Sequence, residues 1–243
     1  MFKFFKELVD SVKEGVAEGK AEVAQEEAAR QQALQAALQE SNAPLEARLA
    51  ASSRFENFAV ALAAVYRQTF APELRQAQDE GRSAVHLLCI EIPPKEVESW
   101  KKLLARDFSV TNGEEAQAAV TEIVNGLASQ PSDDDLALWT GRAAHLATGA
   151  AAVGYASAEA ALDWLEPAAE LAVEHFGSWD SYAQSFLAGE RNAPGSNILG
   201  RKLLASVAEK LLQDERSPWK TVAWPTRDSL ADLLASRGAP RPS

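Results

Sequence analysis

Alanine occupies 47 of the 243 positions, and no other feature narrows so far what this chain can fold into. An alanine gives up no side-chain rotamer freedom in a helix and buries no polar group, which makes it the strongest helix former. The chain also holds 47% apolar residues, enough to bury a sizeable core and too many for a disordered polymer. The expectation is an all-α protein: a compact multi-helix domain of about eight helices, preceded by an N-terminal amphipathic helical arm.

The arm is expected over residues 1–43. Phe2, Phe5, Val9, Val12 and Val16 recur at spacings of 3, 4, 3 and 4 and so line one face of a helix. Beyond Lys20 the sequence turns rich in Ala, Glu and Gln, and Glu40-Ser41-Asn42-Ala43-Pro44 reads as a hinge. The stripe is expected to pack on the body or on a second copy of the chain, the latter giving a homo-oligomer. Membrane-surface contact is the less favoured reading. Lys3, Lys6 and Lys13 are balanced by Glu7, Asp10 and Glu14, whereas interfacial helices carry excess cations.

The body is expected over 44–237, with a disordered tail over 238–243. Helical patterning runs from Leu45 to about Thr69, and Lys95 to Asp107 sets Val97, Trp100, Leu103 and Leu104 on one face. Helix starts are signalled by Asn112, by Ser132 ahead of Asp133-Asp134-Asp135, and by Ser157, Ser178 and Thr226. Pro167 is expected to kink or split the helix that Ser157 opens. Leu199, Leu203, Val207 and Leu211 form the expected stripe of a later helix, while Pro218-Trp219 and Trp224-Pro225 read as extended. The run from Val85 to Ile92 fits a strand or a short buried helix.

The formal charge is −11, from 24 cations and 35 acids. That balance argues against nucleic acid, whose binding rests on clustered Lys and Arg. The single cysteine, Cys89, can form no internal disulfide. His86, His145 and His175 stand 59 and 30 residues apart, with no metal-ligand spacing. With no phosphate-cradling glycine loop and no GxSxG elbow, neither a metal nor a cofactor is expected. The first residues lack the apolar stretch of a secretory signal, and no strongly apolar run reaches the roughly 20 residues of a membrane span. A soluble, cytoplasmic protein is the expectation.

Several segments carry a family resemblance. They are Leu104-Ala105-Arg106-Asp107-Phe108-Ser109-Val110, Leu138-Trp139-Thr140-Gly141-Arg142-Ala143-Ala144 and Gly154-Tyr155-Ala156-Ser157-Ala158-Glu159-Ala160, followed by Phe176-Gly177-Ser178-Trp179, Tyr182 and Ser217-Pro218-Trp219. In this order, over about Ser99 to Pro225, they resemble the bacterial family DUF1266. Thr140 stands where the family pattern has an acid, and Gly189-Glu190-Arg191-Asn192 stands where it favours Gly-Arg and an aromatic. The resemblance implies a mostly helical fold and no particular activity.

Arg142 is the most informative single position. At about 100° per residue, Leu138, Trp139, Ala143, Leu146, Ala150 and Val153 share one arc, and Arg142 falls inside it. A guanidinium on an apolar face needs a carboxylate, and Asp163, Asp180 and Glu190 are the candidates. Two readings follow. One is a structural ion pair with Trp139 as core anchor; the other is an anion-binding or catalytic pocket of Arg142 and His145 beside Trp139, Trp179 and Tyr182. The six tryptophans, all beyond residue 99, fill gaps between Ala-rich helices on the first reading and line a pocket on the second.

Glu159, Asp163, Glu166, Glu170 and Glu174 fall within about 80° of arc on the helix after Ser157. This acidic stripe is either a solvated face or a docking surface for a basic protein partner. No nucleophile–base pair stands out, so no catalytic residue is assigned. The leading expectation is a non-enzymatic, acidic interaction protein, one form of which is an inhibitor or immunity-type protein that caps a basic partner.

Overall fold

The computed structural model describes residues 53–70, 90–92, 94–129, 132–194 and 196–237, with Ala29 and Gln32 as single helical positions. The stripe Phe2, Phe5, Val9, Val12 and Val16, the tail, and the Val85 to Cys89 part of the apolar run lie outside the described residues. The chain divides into two units, Met1–Pro44 and Leu45–Ser243. In the second unit, α1 (Arg54–Leu62) and α2 (Ala64–Phe70) run nearly end to end, and a 3-10 turn (Pro94–Glu96) leads into α3 (Val97–Phe108). Then come α4 (Gly113–Leu127), α5 (Asp133–Ala152), α6 (Ala158–His175), α7 (Trp179–Asn192), α8 (Ile198–Gln213), the short α9 (Pro218–Thr221) and α10 (Arg227–Ser236). The unit is an all-α domain with no strand among the described residues.

Local hydrogen bonds set where these helices begin. The first amides of a helix have no partner within it, and a short polar side chain just outside can supply one. Asn112 accepts from the Glu115 amide at 3.0 Å, Ser132 from Asp135 at 3.2 Å and Ser157 from Ala160 at 3.1 Å. Ser178 with Ser181, and Thr226 with Ser229, form reciprocal capping boxes. At the start of α5 the acidic triplet meets the helix dipole, and Asp133 lies 2.9 Å from Nδ1 of His175 at the end of α6.

Two local expectations need correction, at Pro218 and on α8. Of the kink or split expected at Pro167, the split is absent: α6 is one helix through Pro167. Pro167 removes the amide that would reach the Asp163 carbonyl; both residues are exposed, so water can take that acceptor. Pro218-Trp219 is not extended: Pro218 opens α9, where its missing N–H and fixed φ suit the first helical position. On α8 the buried stripe is Leu204, Val207, Ala208 and Leu211, while Leu199 is 80% and Leu203 40% exposed.

Helix α5 is the axis of the domain and packs against α1, α2, α3, α4, α6 and α7. Its residues from Leu136 to Ala150 are buried except Trp139 and Arg142, as expected of a helix apolar almost all round. The break at Ala63 between α1 and α2 leaves carbonyls short of the helical ladder. Trp219 Nε1 donates to the Ala61 carbonyl at 2.9 Å and the Tyr182 hydroxyl to that of Leu62 at 3.0 Å. Trp179 stacks on Trp219 with ring centres 5.7 Å apart and meets Trp224 edge-on at 4.7 Å.

Helix α7 approaches α5 closely at Gly189. A Cβ there would stand 2.3 Å from the Asp134 carbonyl oxygen and 2.9 Å from Leu138 Cβ. Gly189→Ala should therefore push the two helices apart and cost about 2 kcal/mol or more, read as a lower urea midpoint. A midpoint within about 0.5 kcal/mol of the parent would show that the crossing is not tight.

Candidate functional site

The site grows from the one cation that α5 carries in its buried length. Arg142 Nε donates to the Tyr66 hydroxyl of α2 at 3.2 Å, and its Nη2 reaches Glu190 Oε1 of α7 at 3.4 Å. The Tyr66 hydroxyl in turn donates to the same Glu190 oxygen. The Arg142 guanidinium lies 4.7 Å above the Trp139 ring, one turn back on its own helix. Of the three candidate carboxylates, then, Glu190 meets Arg142. Asp163 pairs elsewhere, and Asp180 sits exposed in the first turn of α7, where an acid favours the helix dipole.

The electrostatics fix the protonation of Tyr66 and Arg142. Burial first, and the Glu190 charge second, push the Tyr66 phenol well above its ordinary value, so it stays a donor. Burial would lower Arg142, but Tyr66 and Glu190 outweigh it and its guanidinium stays charged. The neutral phenol donates to the carboxylate and accepts from the guanidinium, so each of the three side chains is bonded to the other two. The trio is built to join α2, α5 and α7.

Of the remaining pocket candidates, Trp139 stacks on Arg142 and His145 shares its neighbour Tyr66. Trp179 and Tyr182 belong to the aromatic cluster under α1, bonded to the Val222 and Leu62 carbonyls. Trp139 is not a core anchor: it is 37% exposed. His145 is buried one turn on from Arg142, ringed by Tyr66, Phe70, Trp100 and Phe108 with centroids 5.5 to 6.1 Å away. Neither of its ring nitrogens has a hydrogen-bond partner. Burial, then the nearby Arg67 charge, lowers its pKa to about 3. Arg67 itself is buried, stacked over Trp100 at 5.5 Å and within 3.5 Å of Thr148 Oγ1.

The acidic stripe is largely taken up by the chain's own C-terminal helix. Arg227 pairs with Glu174 at 2.6 Å. Arg237 pairs with Asp163 at 2.5 Å and with Glu166, and its Nη2 donates to the Glu159 carbonyl at 3.3 Å. Its side chain is only 11% exposed and lies 5.1 Å over the Phe55 ring. Glu159 and Glu170 are exposed. Tyr66, Arg67 and Arg237 were missed in the sequence. A tyrosine and an arginine side by side, directly after the apolar run Ala59 to Val65, were the one cue to the first two.

Two open concavities flank the trio. One, of about 570 Å³, runs between α3, α4 and α5 and is lined by Phe108, Ala119, Ile123, Leu127 and Trp139 with Glu122 and Asp135. The other, of about 590 Å³, lies between α7 and α8. No group of three or more potential metal ligands occurs among the described residues, and no described helix is long and apolar enough to cross a membrane.

Compared with known proteins, residues 3–224 match the family model described as "Protein of unknown function (DUF1266)". The match begins far upstream of the segments that carry the resemblance in the sequence. No curated protein and no solved structure matches the chain.

Two outcomes test this geometry. Glu190→Leu leaves the Arg142 charge half-buried without its carboxylate and should cost about 1–3 kcal/mol, part of it recovered when Arg142→Leu is added. Additive losses in the urea midpoints would refute the pairing. For His145, the folded value lies below the ordinary 6.5, so the unfolded chain takes up a proton that the native state does not. Its contribution is whole above that pH and drains as pH falls toward 3. Between pH 7 and 5 it amounts to about 2 kcal/mol, which His145→Leu should remove from the pH dependence of unfolding. An unchanged slope would place a charged imidazole in the core.

Proposed function

This chain belongs to the DUF1266 family, and we propose that it acts in the cytoplasm by binding a protein rather than by chemistry, receiving a cationic amphipathic helix in the groove beside Trp139. The observation that carries this reading is the exposure of Trp139, the one aromatic among the large apolar side chains left open to solvent in the described residues. Tryptophan is enriched where a few residues supply most of the binding energy, because its broad ring buries much area at little entropic cost.

The groove has the anatomy of a helix receptor. Phe108, Ala119, Ile123 and Leu127 form an apolar floor beside the Trp139 ring, and both charged lining residues, Glu122 and Asp135, are acids. An amphipathic helix lays its apolar face into such a channel, and flanking carboxylates select one with Lys or Arg beside that face. The acidic stripe of α6 suits a partner less well, since Arg227 and Arg237 already pair with Glu174, Asp163 and Glu166. The rival reading, an anion-binding or catalytic pocket of Arg142, His145, Trp179 and Tyr182, is less favoured because Arg142 pairs with Glu190 and because Trp179 and Tyr182 bond to the Val222 and Leu62 carbonyls.

Calorimetric titration with a model Leu/Lys amphipathic helix and its Leu/Glu counterpart tests the reading. The cationic peptide should bind, and Trp139→Ala or Glu122→Lys should each weaken it about tenfold, or ~1.4 kcal/mol. Equal binding of the acidic peptide, or full affinity in both folded variants, would overturn it.

A further inference from the structure

The α7–α8 cleft combines two features that are unusual on so acidic a chain. Its walls include the apolar side chains of Leu187, Ile198, Leu204 and Ala205, and its charges include three cations, Arg191, Arg201 and Lys202. None of the three forms an ion pair among the described residues. By contrast, Arg106, Arg142, Arg216, Arg227 and Arg237 each meet a carboxylate. The one acid lining the cleft, Glu190, is held by Tyr66 and Arg142. Among the described residues, therefore, the positive charge of the cleft has no internal answer. Beside it, Ile198 is 64% and Leu199 80% exposed, which extends the apolar surface outward along α8.

From this we infer that the cleft binds a single anionic amphiphile: an alkyl chain carrying a carboxylate or comparable monoanion. The volume, about 590 Å³, falls in the range of small-molecule sites. A bare inorganic anion would leave the apolar walls wet, and a neutral alkyl chain would leave three cations unanswered. A second copy of the chain meeting this face symmetrically would set like charges against each other, which disfavours a dimer here. An alkyl chain against Leu187, Ile198 and Leu204, with its head group between Arg191, Arg201 and Lys202, satisfies both halves of the site. Arg can grip a carboxylate with two parallel hydrogen bonds and Lys adds a point charge. The inference is independent of the Trp139 groove and uses none of its residues.

Titrating the full chain with dodecanoate below its micelle concentration tests this, with dodecanol and dodecylammonium as neutral and cationic controls. Dodecanoate should bind one per chain and the controls at least about tenfold more weakly. Joint reversal of Arg201→Glu and Lys202→Glu should lower the affinity by a similar factor, and Ala205→Trp, which fills the cleft without altering its charge, should abolish binding. These positions are exposed or half-buried, and circular dichroism checks that each variant keeps its helices. Absence of dodecanoate binding, equal binding of dodecanol, or full affinity in the double reversal would each overturn the inference. Co-sedimentation with vesicles rich in anionic phospholipid, without binding of monomeric dodecanoate, would also overturn it and make the α8 surface a bilayer contact instead.

Discussion

The domain depends on carrying a guanidinium inside its central helix. Helix α5 is enclosed by six neighbours, and an unanswered charge there would cost more than most single mutations do. The answer is assembled from two other helices, Tyr66 of α2 and Glu190 of α7. Its geometry follows from the residue just before the acid. Gly189 has no Cβ, so α7 can settle against the Asp134 carbonyl and Leu138, and the next residue reaches the cation one turn further along α5. Because Tyr66 bonds both partners, α2 is held in the same register. Three helices separated widely in sequence are thus fixed by a glycine contact and three hydrogen bonds, and the Ala-rich faces around them pack closely enough to exclude water.

What the sequence made legible is what depends on neighbours along the chain. Caps are bonds between a side chain and an amide three residues on, so Asn112, Ser132, Ser157, Ser178 and Thr226 could be read one by one. The all-α class followed from alanine content for the same reason, since helix propensity is local. The need of Arg142 for a carboxylate was also legible; which of Asp163, Asp180 and Glu190 supplies it was not, because that choice is made by helices crossing in space.

The misreadings share a physical cause. Periodicity says which residues share a face and leaves open which way that face turns. On α8 two stripes are available, one through Leu199 and Leu203 and one through Leu204, Val207 and Leu211. Packing against α2 and α7 selects the second. Trp139 belongs to an apolar arc in projection, yet α4 and α3 stop short of covering it. The acids of α6 form a regular stripe whether they face water or another helix. Only the fold brings Arg237, some seventy residues on, over Phe55 and between Asp163 and Glu166.

Net charge is a poor guide to partners for the same reason. Counterions screen charges beyond about 8 Å at physiological ionic strength, so a contact responds to the charges around it more than to the sum over the chain. Here the sum of −11 is unevenly spent. The C-terminal arginines cancel much of the α6 stripe, and Glu190 is consumed within the core. Among the described residues, charges without an ion pair include both signs, with carboxylates at the Trp139 groove and cations at the α7–α8 cleft. The Arg142–Glu190 pair lies between them, with its arginine stacked on the tryptophan of one surface and its glutamate lining the other. By neutralising each other, these two residues let the concavities keep opposite signs a short distance apart, which neither could do if the pair were open.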